Sequence, residues 1–238
     1  MYKAVILFIL FAAYCQAQSL KDCSSCSTEI IKPAQLIGSS IDEIRMLTNE
    51  IFAKNGHQFE NPRIQEFFEQ DPNYKSLGDN NKVTFNAIEK QNIKLFQETT
   101  TSLKAARQEL TTQLEKFKNN VLGDELVELK NSFNFSYEEG EQHYLKDVVS
   151  RLDLDDINYY KNTGLQKVLV DNGFVKIVYE LRIENNQIHL TYNHMAHSEI
   201  IKDFDEFTDY HSENEFTYNW QFEFVNNQLK FVRFVVAG

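Results

Sequence analysis

The sequence Ile-Phe-Ala-Lys-Asn-Gly at residues 51–56 decides how the first part of this 238-residue chain folds. It closes a helix that we expect to begin at residues 40–43, where the order Ser-Ile-Asp-Glu fits a capping box. Gly56 ends that helix, because glycine adopts the left-handed conformation at a helix C-terminus without steric cost. Apolar residues recur at spacings of three and four and mark one buried helix face: Ile44, Leu47 and Ile51.

Two further helices are predicted downstream of this hexapeptide. Asn61-Pro62 supplies a cap and a first-turn proline for one of them, and Asp71-Pro72 stops it. Thr84 is the predicted cap of the other, which carries Asn92 on an otherwise apolar side. Residues 40–98 are therefore predicted to form a small, separate helical unit.

The side chains of the hexapeptide have predicted roles in this unit. Phe52 is expected to pack on Phe67 or Phe68, and Lys54 is expected to keep its ammonium group in water. Asn92 is expected to bond loop backbone between Gly56 and Pro72. All these roles belong to folding, which favours a folding signature over a chemical site.

The same residues carry a family resemblance. The chain reads Phe52-Ala53-Lys54-Asn55-Gly56 where the YARHG module has tyrosine, alanine, arginine, histidine and glycine. Further matching residues follow in order and spacing on both sides: Asn49-Glu50-Ile51, Phe59, Pro62, Phe67-Phe68, Tyr74, Ile88-Glu89-Lys90 and Asn92-Ile93. The segment thus resembles a small helical domain of exported bacterial proteins.

The resemblance implies an exported envelope or extracellular protein with peptidoglycan or an envelope protein as its partner. It also implies a set of binding residues, namely Phe52, Lys54, Asn55, Gly56 and Phe59. Because Asn55 stands where the family has histidine, any role that needs a titrating imidazole is lost at this position.

The N-terminus has the pattern of a secretory signal peptide. Lys3 gives a positive start, an apolar run covers residues 4–14, and Cys15-Gln16-Ala17 offers a cleavage site after Ala17. A lipid anchor at Cys15 is the alternative, which the bulky Tyr14 before it disfavours. No later apolar stretch approaches 18 residues, so we expect a periplasmic or extracellular protein with no transmembrane segment after cleavage.

Two further cysteines, Cys23 and Cys26, lie in an expected extended leader at residues 18–39. Three interpretations are open: a local disulfide, a redox dithiol, or half of a zinc site. No second ligand pair lies at zinc-finger spacing, and no strand precedes the pair as in a thioredoxin-like unit. An oxidising compartment favours the disulfide.

Composition excludes one class of partner. The chain is 42% hydrophobic with a formal net charge of −11. An acidic surface repels nucleic acid and anionic lipid at long range, so we predict no nucleic-acid binding.

The C-terminal half changes to the two-residue period of strands. Strands are predicted near 165–171, 174–183, 187–195, 215–225 and 228–236, with Asn-Gly or Asn-Asn turns between them. Helices are predicted before them, at 103–123, 125–131 and 138–152. The first of these either stands alone or extends the preceding helix as a connector. Residues 103–238 thus form a predicted α+β domain with a curved antiparallel sheet. By element order alone, this layout resembles the nuclear-transport-factor-2 scaffold.

Several polar clusters in this half are candidate sites. His194, His197 and His211 are the candidates for a metal, but a polar strand end and an exposed loop, where histidines are ordinary, are the favoured explanation. Asp153, Asp155 and Asp156 are candidate acids for a cavity lined by the aromatic strand 216–224. The strand is also explained as core. An acidic run at 203–215 lacks the glycine of a calcium loop.

No motif names a reaction: the chain has no nucleophile elbow, HExxH, phosphate loop or GxGxxG. We therefore predict an exported binding module without evident catalytic activity, with no catalytic residues and no cofactor. The alternative is a small-molecule-binding protein or enzyme that uses a cavity in the C-terminal domain.

Overall fold

The computed structural model describes residues 20–173, 175–196, 201–203, 206–207 and 215–238. The chain divides into two compact units. Unit 1 contains the chain up to Ser39 together with Ile44–Phe96, and unit 2 contains Ser40–Glu43 together with Gln97–Gly238. The predicted signal peptide at residues 1–17 lies outside the described residues.

The helices of unit 1 follow the capping signals with one correction. Helix α1 spans Ile41–Lys54 and α2 spans Pro62–Glu69, where the Asn61 side chain accepts the backbone N–H of Arg63. The capping box at Ser40 is confirmed, with Glu43 N–H donating to Ser40 Oγ over 3.2 Å. Thr84 does not cap the next helix: Asn86 and Glu89 form its capping box instead.

The helix predicted at 103–123 extends the third helix, which is one of its two expected arrangements. Helix α3 spans Ala87–Leu122 and runs without a break through the threonine-rich stretch at 99–101. A threonine hydroxyl can bond the carbonyl one turn back, and Thr101 Oγ1 does so to Gln97 over 2.9 Å.

The structure differs from the expected extended leader at residues 20–39. Cys23, Cys26, Ile31 and Leu36 are buried, and a short 3-10 helix occupies Pro33–Leu36. Hydrogen bonds to side chains of α1 and α3 hold this segment in place. Such bonds leave no periodic pattern of apolar residues, so the sequence did not indicate that the segment is folded.

Unit 2 has the predicted α+β order. Helices α4 and α5 span Leu126–Phe133 and Gln142–Arg151. The described strands are β1 at Asn158–Tyr160, β2 at Thr163–Asp171, β3 at Val175–Glu184, β4 at Gln187–Ala196, β5 at Ile201–Asp203, β6 at Glu206–Phe207, β7 at Phe216–Val225 and β8 at Gln228–Ala237.

The main sheet has the order β1-β2-β3-β4-β7-β8, with every neighbouring pair antiparallel. All five long predicted strands are present, whereas the short strands β1, β5 and β6 are additions to the prediction. Asn226 and Asn227 both take positive φ, of 52° and 59°, as a two-residue hairpin turn requires. The fold class is therefore α+β, as predicted.

One face of the sheet forms the core of unit 2 with α3, α4 and α5. Trp220 and Phe222 are at most 1% exposed. The ring centroid of Phe222 lies 4.9 Å from that of Phe117 on α3. The opposite face carries polar rows, such as the Asn219 amide that donates to Thr191 Oγ1 over 2.9 Å. One buried and one polar face are typical of an antiparallel sheet.

Candidate functional site

The hexapeptide lies at the end of α1 and contacts the disulfide loop. Cys23 and Cys26 form a disulfide with a Cα–Cα distance of 4.9 Å, and both are fully buried. Lys54 Nζ donates to the carbonyl oxygens of Cys23 and Ser24. The prediction that the ammonium group of Lys54 stays in water is therefore incomplete, because this group also satisfies two loop carbonyls.

Glu50, one turn before Lys54, completes this attachment. Its Oε2 accepts the backbone N–H of Cys23 over 2.6 Å. Burial raises the pKa of Glu50 even though this hydrogen bond opposes the shift. The two side chains thus present an acceptor and a donor to the backbone of one cysteine, which fixes the loop on α1.

Asn55 links α1 to α3. Its Nδ2 donates to Ile51 O over 2.8 Å and to Glu89 Oε1 over 3.0 Å. Glu89, only 4% exposed, also accepts the Ser27 hydroxyl over 2.7 Å and the Asn86 N–H over 2.8 Å. Burial alone would raise the pKa of Glu89, but the hydrogen bonds from Asn55, Asn86 and Ser27 outweigh it and lower that pKa.

Asn92 bonds a different loop from the predicted one. Its side chain accepts Ile31 N–H over 2.8 Å and donates to the carbonyls of Cys26 and Glu29 over 2.9 and 2.8 Å. The prediction that a buried asparagine satisfies loop backbone is correct in kind. It is wrong about the loop, which lies at residues 26–31 and not between Gly56 and Pro72. An extended leader was expected at residues 26–31, and an extended segment would not have offered a folded partner.

Gly56 has the predicted left-handed conformation, with φ of +78°. A Cβ here would lie 2.7 Å from Leu77 Cγ and 3.0 Å from Lys75 O, so glycine is needed for space as well as for φ. The Leu77 N–H donates to Gly56 O over 2.8 Å, which ties this turn to the following loop.

The two aromatic residues of the predicted binding set lie in an aromatic cluster. Phe52 contacts Phe85 and His57, with ring centroids 4.7 and 5.1 Å away, and not Phe67 or Phe68 as predicted. Phe59 stacks on Phe68 at 5.0 Å. Both are half-buried.

Sequence reasoning named Glu50 and Glu89 among the residues that carry the resemblance, but it gave neither of them a role in this network. A signal for Glu89 was available, since Asn86 and Glu89 stand three residues apart as a capping box does. The hexapeptide thus folds the unit by holding the disulfide loop, while Phe52, Lys54 and Asn55 keep part of their surface accessible.

The candidate polar residues of unit 2 do not converge. His194, on β4, stacks on the ring of Phe216 with centroids 5.0 Å apart. His197 and His211 lie outside the described residues. Within the described residues, no group of three His, Cys, Asp or Glu side chains is placed to hold a metal ion. Asp153, Asp155 and Asp156 are exposed.

A carboxylate that sequence reasoning did not single out lies inside the core of unit 2. Glu141 is 1% exposed, and its Oε2 accepts the indole N–H of Trp220 over 2.7 Å. Its Oε1 accepts the Glu138 N–H over 2.8 Å, just before α5. Burial raises the pKa of Glu141 above its ordinary value of 4.5. Both oxygens have partners, so this carboxylate has a structural role.

Two open clefts flank α5. One, of about 400 Å³, includes Asp153 and Asp155 in its lining together with Lys118 and Asn119 of α3. The other, of about 450 Å³, lies between the end of α3, α5 and β4. Neither lies beneath the centre of β7, where Trp220 and Phe222 fill the space between sheet and helices.

These features define a class: an α+β protein whose N-terminal helical unit holds a disulfide loop through polar side chains of α1 and α3. The family model of the YARHG domain matches residues 21–101, which confirms the resemblance of this segment to that family. The match begins before Cys23 and so includes most of the segment that was expected to be a leader.

The YARHG domain is a domain of exported proteins. No curated protein and no solved structure matches the chain. The likeness of unit 2 to the nuclear-transport-factor-2 scaffold therefore stays a prediction. No helix among the described residues is long and apolar enough to cross a membrane.

Proposed function

We propose that the protein is an exported binding module that holds an envelope polymer, such as peptidoglycan, or an envelope protein. The observation that carries the proposal is the filled interior of unit 2. Beneath the aromatic strand β7, Trp220 and Phe222 belong to one buried cluster with side chains of α3, α4 and α5. The buried carboxylate of Glu141 is satisfied by two N–H donors. An enzyme built on a scaffold of the nuclear-transport-factor-2 type would need an open cavity with a reactive group beneath this strand.

The hexapeptide supports the same proposal. Lys54 and Asn55 are engaged with loop carbonyls and with Glu89, so their chemistry is used within the domain. Phe52 and Phe59 are half-buried and keep part of their rings accessible. Accessible aromatic rings on a rigid support are typical of binding surfaces.

Export by a signal peptide cleaved after Ala17 belongs to this proposal. The disulfide between Cys23 and Cys26 is typical of proteins that fold in an oxidising compartment. Mass spectrometry of the protein isolated from its native cells should give an N-terminus near Gln18. A retained signal peptide, or a diacylated Cys15, would contradict soluble export.

The alternative is a small-molecule-binding protein or enzyme that uses a cavity in unit 2. The two open clefts beside α5 are what favour it. Both functions need a ligand, but only an enzyme must turn it over. Incubation of the mature protein with envelope fractions, followed by mass spectrometry of the soluble products, separates the two.

The binding test is a co-sedimentation assay with isolated cell wall, using the full mature protein. We expect saturable retention that persists as salt is raised, because the acidic surface disfavours charge-driven adsorption. A parallel cross-linking experiment on intact cells detects an envelope protein partner. Absence of wall retention together with absence of a specific cross-link would refute the proposed function.

A further inference from the structure

The larger cleft beside α5 is built from residues that no motif singled out. Its lining is drawn from α3, α5 and β4 and consists of Leu122, His143, Tyr144, Lys146, Asp147, Ser150 and Tyr192. Its volume of about 450 Å³ falls in the range of small-ligand sites.

Asp124, at the turn after α3, joins two walls of this cleft, the end of α3 and α5. Asp124 has a positive φ of 56°, and its two oxygens accept hydrogen bonds from α5. Gln142 Nε2 donates to Oδ1 and Lys146 Nζ donates to Oδ2, each over 2.7 Å. The cleft therefore exists before a ligand arrives, which lowers the entropic cost of binding.

The charged groups in the lining are already paired. Lys146 is neutralised by Asp124, as described above. Asp147 accepts the guanidinium N–H of Arg151 over 2.9 Å and the hydroxyl of Tyr179 over 2.6 Å. Because both charges of the lining are compensated, the cleft favours a neutral ligand.

The remaining lining groups are neutral hydrogen-bonding groups and aromatic rings. Tyr144 and Tyr192 lie with ring centroids 4.8 Å apart, and Tyr144 is half-buried with part of its surface in the cleft. Ser150 Oγ donates to Asp147 O over 2.8 Å and keeps its lone pairs for a ligand. Exposed His143 adds an imidazole, and Leu122, 43% exposed, adds an apolar rim.

A ligand that matches this lining is neutral, carries several hydroxyl or amide groups, and has one apolar face. A pyranose ring meets all three conditions, since its C–H face packs on an aromatic ring while its hydroxyls bond at the edge. We propose that this cleft binds a sugar ring of a neutral saccharide. The inference deepens the proposed function, on which it rests, by naming the chemical class of the ligand and the place where it is held.

The test is isothermal titration of the full mature protein with two probes: soluble oligosaccharides of N-acetylglucosamine and soluble oligosaccharides of glucose. We expect millimolar to high-micromolar dissociation constants for at least one probe. Binding of only the first series would place an acetamido group in the cleft, whereas equal binding of both would limit recognition to the ring. Titration with a sulfated oligosaccharide is the charged comparison, and preferential binding of that probe would overturn the neutral-ligand argument.

The matched variants keep every aromatic ring and remove only hydroxyl groups. The double variant Tyr144→Phe with Tyr192→Phe removes the hydroxyl groups of the two tyrosines that line the cleft, and we expect about a tenfold loss of affinity. The control is the double variant Tyr159→Phe with Tyr160→Phe, because neither residue lines the cleft. Its affinity should equal that of the wild type.

A single variant of an exposed residue guards against misfolding. His143→Ala should weaken binding several-fold, and His189→Ala on the opposite sheet face should not. No heat of binding with any neutral probe, or equal affinities in cleft and control variants, would overturn the inference. Wall retention by a cleft variant at wild-type strength would sink this inference while leaving the proposed function intact.

Discussion

The two units of this chain are stabilised by different means. Unit 1 holds buried polar groups at its centre, where Glu89 and Asn92 of α3 accept and donate hydrogen bonds to the segment that carries the disulfide. Unit 2 is centred on aromatic packing, with Trp220, Phe222 and Phe117 nearly inaccessible to solvent.

The difference follows from what each unit has available to bury. Unit 1 packs short helices and an irregular segment, so its apolar core is small and the backbone of the segment needs partners. Side-chain amides and carboxylates supply those partners, and a disulfide shortens the loop they hold. Unit 2 has a six-stranded sheet whose backbone is already paired, so its side chains are free to be apolar. Replacing one central residue in each unit should therefore destabilise the two units for different reasons: lost hydrogen bonds in unit 1 and lost apolar packing in unit 2.

The largest effect is expected from Trp220→Ala in unit 2. It removes the largest fully buried side chain and leaves Glu141 without its indole donor. We expect a loss of about 4 kcal/mol in the free energy of unfolding, measured by urea denaturation followed by circular dichroism. Tyr160→Ala, at a residue 74% exposed, is the control and should change it by less than about 0.5 kcal/mol. A loss below about 1 kcal/mol for Trp220→Ala would show that aromatic packing does not dominate unit 2.

The corresponding variant in unit 1 is Asn92→Leu, which keeps the side-chain volume but removes its polar atoms. Three backbone groups, at Ile31, Cys26 and Glu29, lose their partners, and we expect a loss of about 3 kcal/mol. The chain has one tryptophan, Trp220, so its fluorescence reports unit 2 while circular dichroism reports both units. Asn119→Leu, at an exposed position of the same helix, is the matched control.

If Asn92→Leu behaves like Asn119→Leu, the hydrogen bonds of unit 1 contribute nothing net and its apolar contacts suffice. If the tryptophan transition shifts as far as the circular dichroism transition, the two units unfold together. Either result would break the distinction between the units.

The sequence predicted unit 2 better than unit 1, for a physical reason. Strand period and Asn-Gly or Asn-Asn turns are local signals, and all five long strands follow from them. Short strands such as β1, at Asn158–Tyr160, leave too few residues to show a period. In unit 1, Cys23 and Cys26 are held by residues distant in sequence, such as Glu50 and Asn92, and no local pattern records such pairings.

The candidate site divides in the same way. Gly56 could be predicted because its requirement, a positive φ at a helix end, is local. The partners of Lys54 could not, because the loop carbonyls that it bonds lie about 30 residues earlier in the chain. The cleft beside α5 could not be predicted either, because its lining comes from three elements whose packing only the fold establishes.

Gly56→Ala in unit 1 should lower the free energy of unfolding by about 2 kcal/mol, less than Trp220→Ala or Asn92→Leu. A Cβ at this position would be strained by the positive φ and would also meet Leu77 and the Lys75 carbonyl. Gly78→Ala is the matched control, since its φ is +69° but a Cβ added there would meet nothing within 4 Å. The difference between the two melting shifts measures steric contact alone. Adding Leu77→Ala to Gly56→Ala should recover part of the loss, and no recovery would assign the cost to φ together with the contact at the Lys75 carbonyl.

The smallest effect is expected from Glu141→Gln. Glu141 is a buried carboxylate in unit 2, the unit that is otherwise centred on aromatic packing. In Glu141→Gln the amide group faces either the Trp220 indole N–H or the Glu138 N–H, so one donor loses its acceptor. We expect a cost of about 1 kcal/mol at neutral pH, read from Trp220 fluorescence in urea. Glu139→Gln, at an exposed neighbouring position, is the control and should leave the transition unchanged.

The pH dependence of that cost has a defined sign. Burial raises the pKa of Glu141 in the folded protein above its ordinary value of 4.5, so the folded state favours the protonated acid. The stability that this preference contributes is fully present below the ordinary pKa and is lost as pH rises through the folded pKa. Glutamine does not titrate, so the wild type should lose more stability than Glu141→Gln as pH rises from about 4 to 7. A gap between the two proteins that widens with rising pH would instead mean that the two N–H donors outweigh burial. Glu141 would then resemble Glu89, and polar stabilisation would extend to both units.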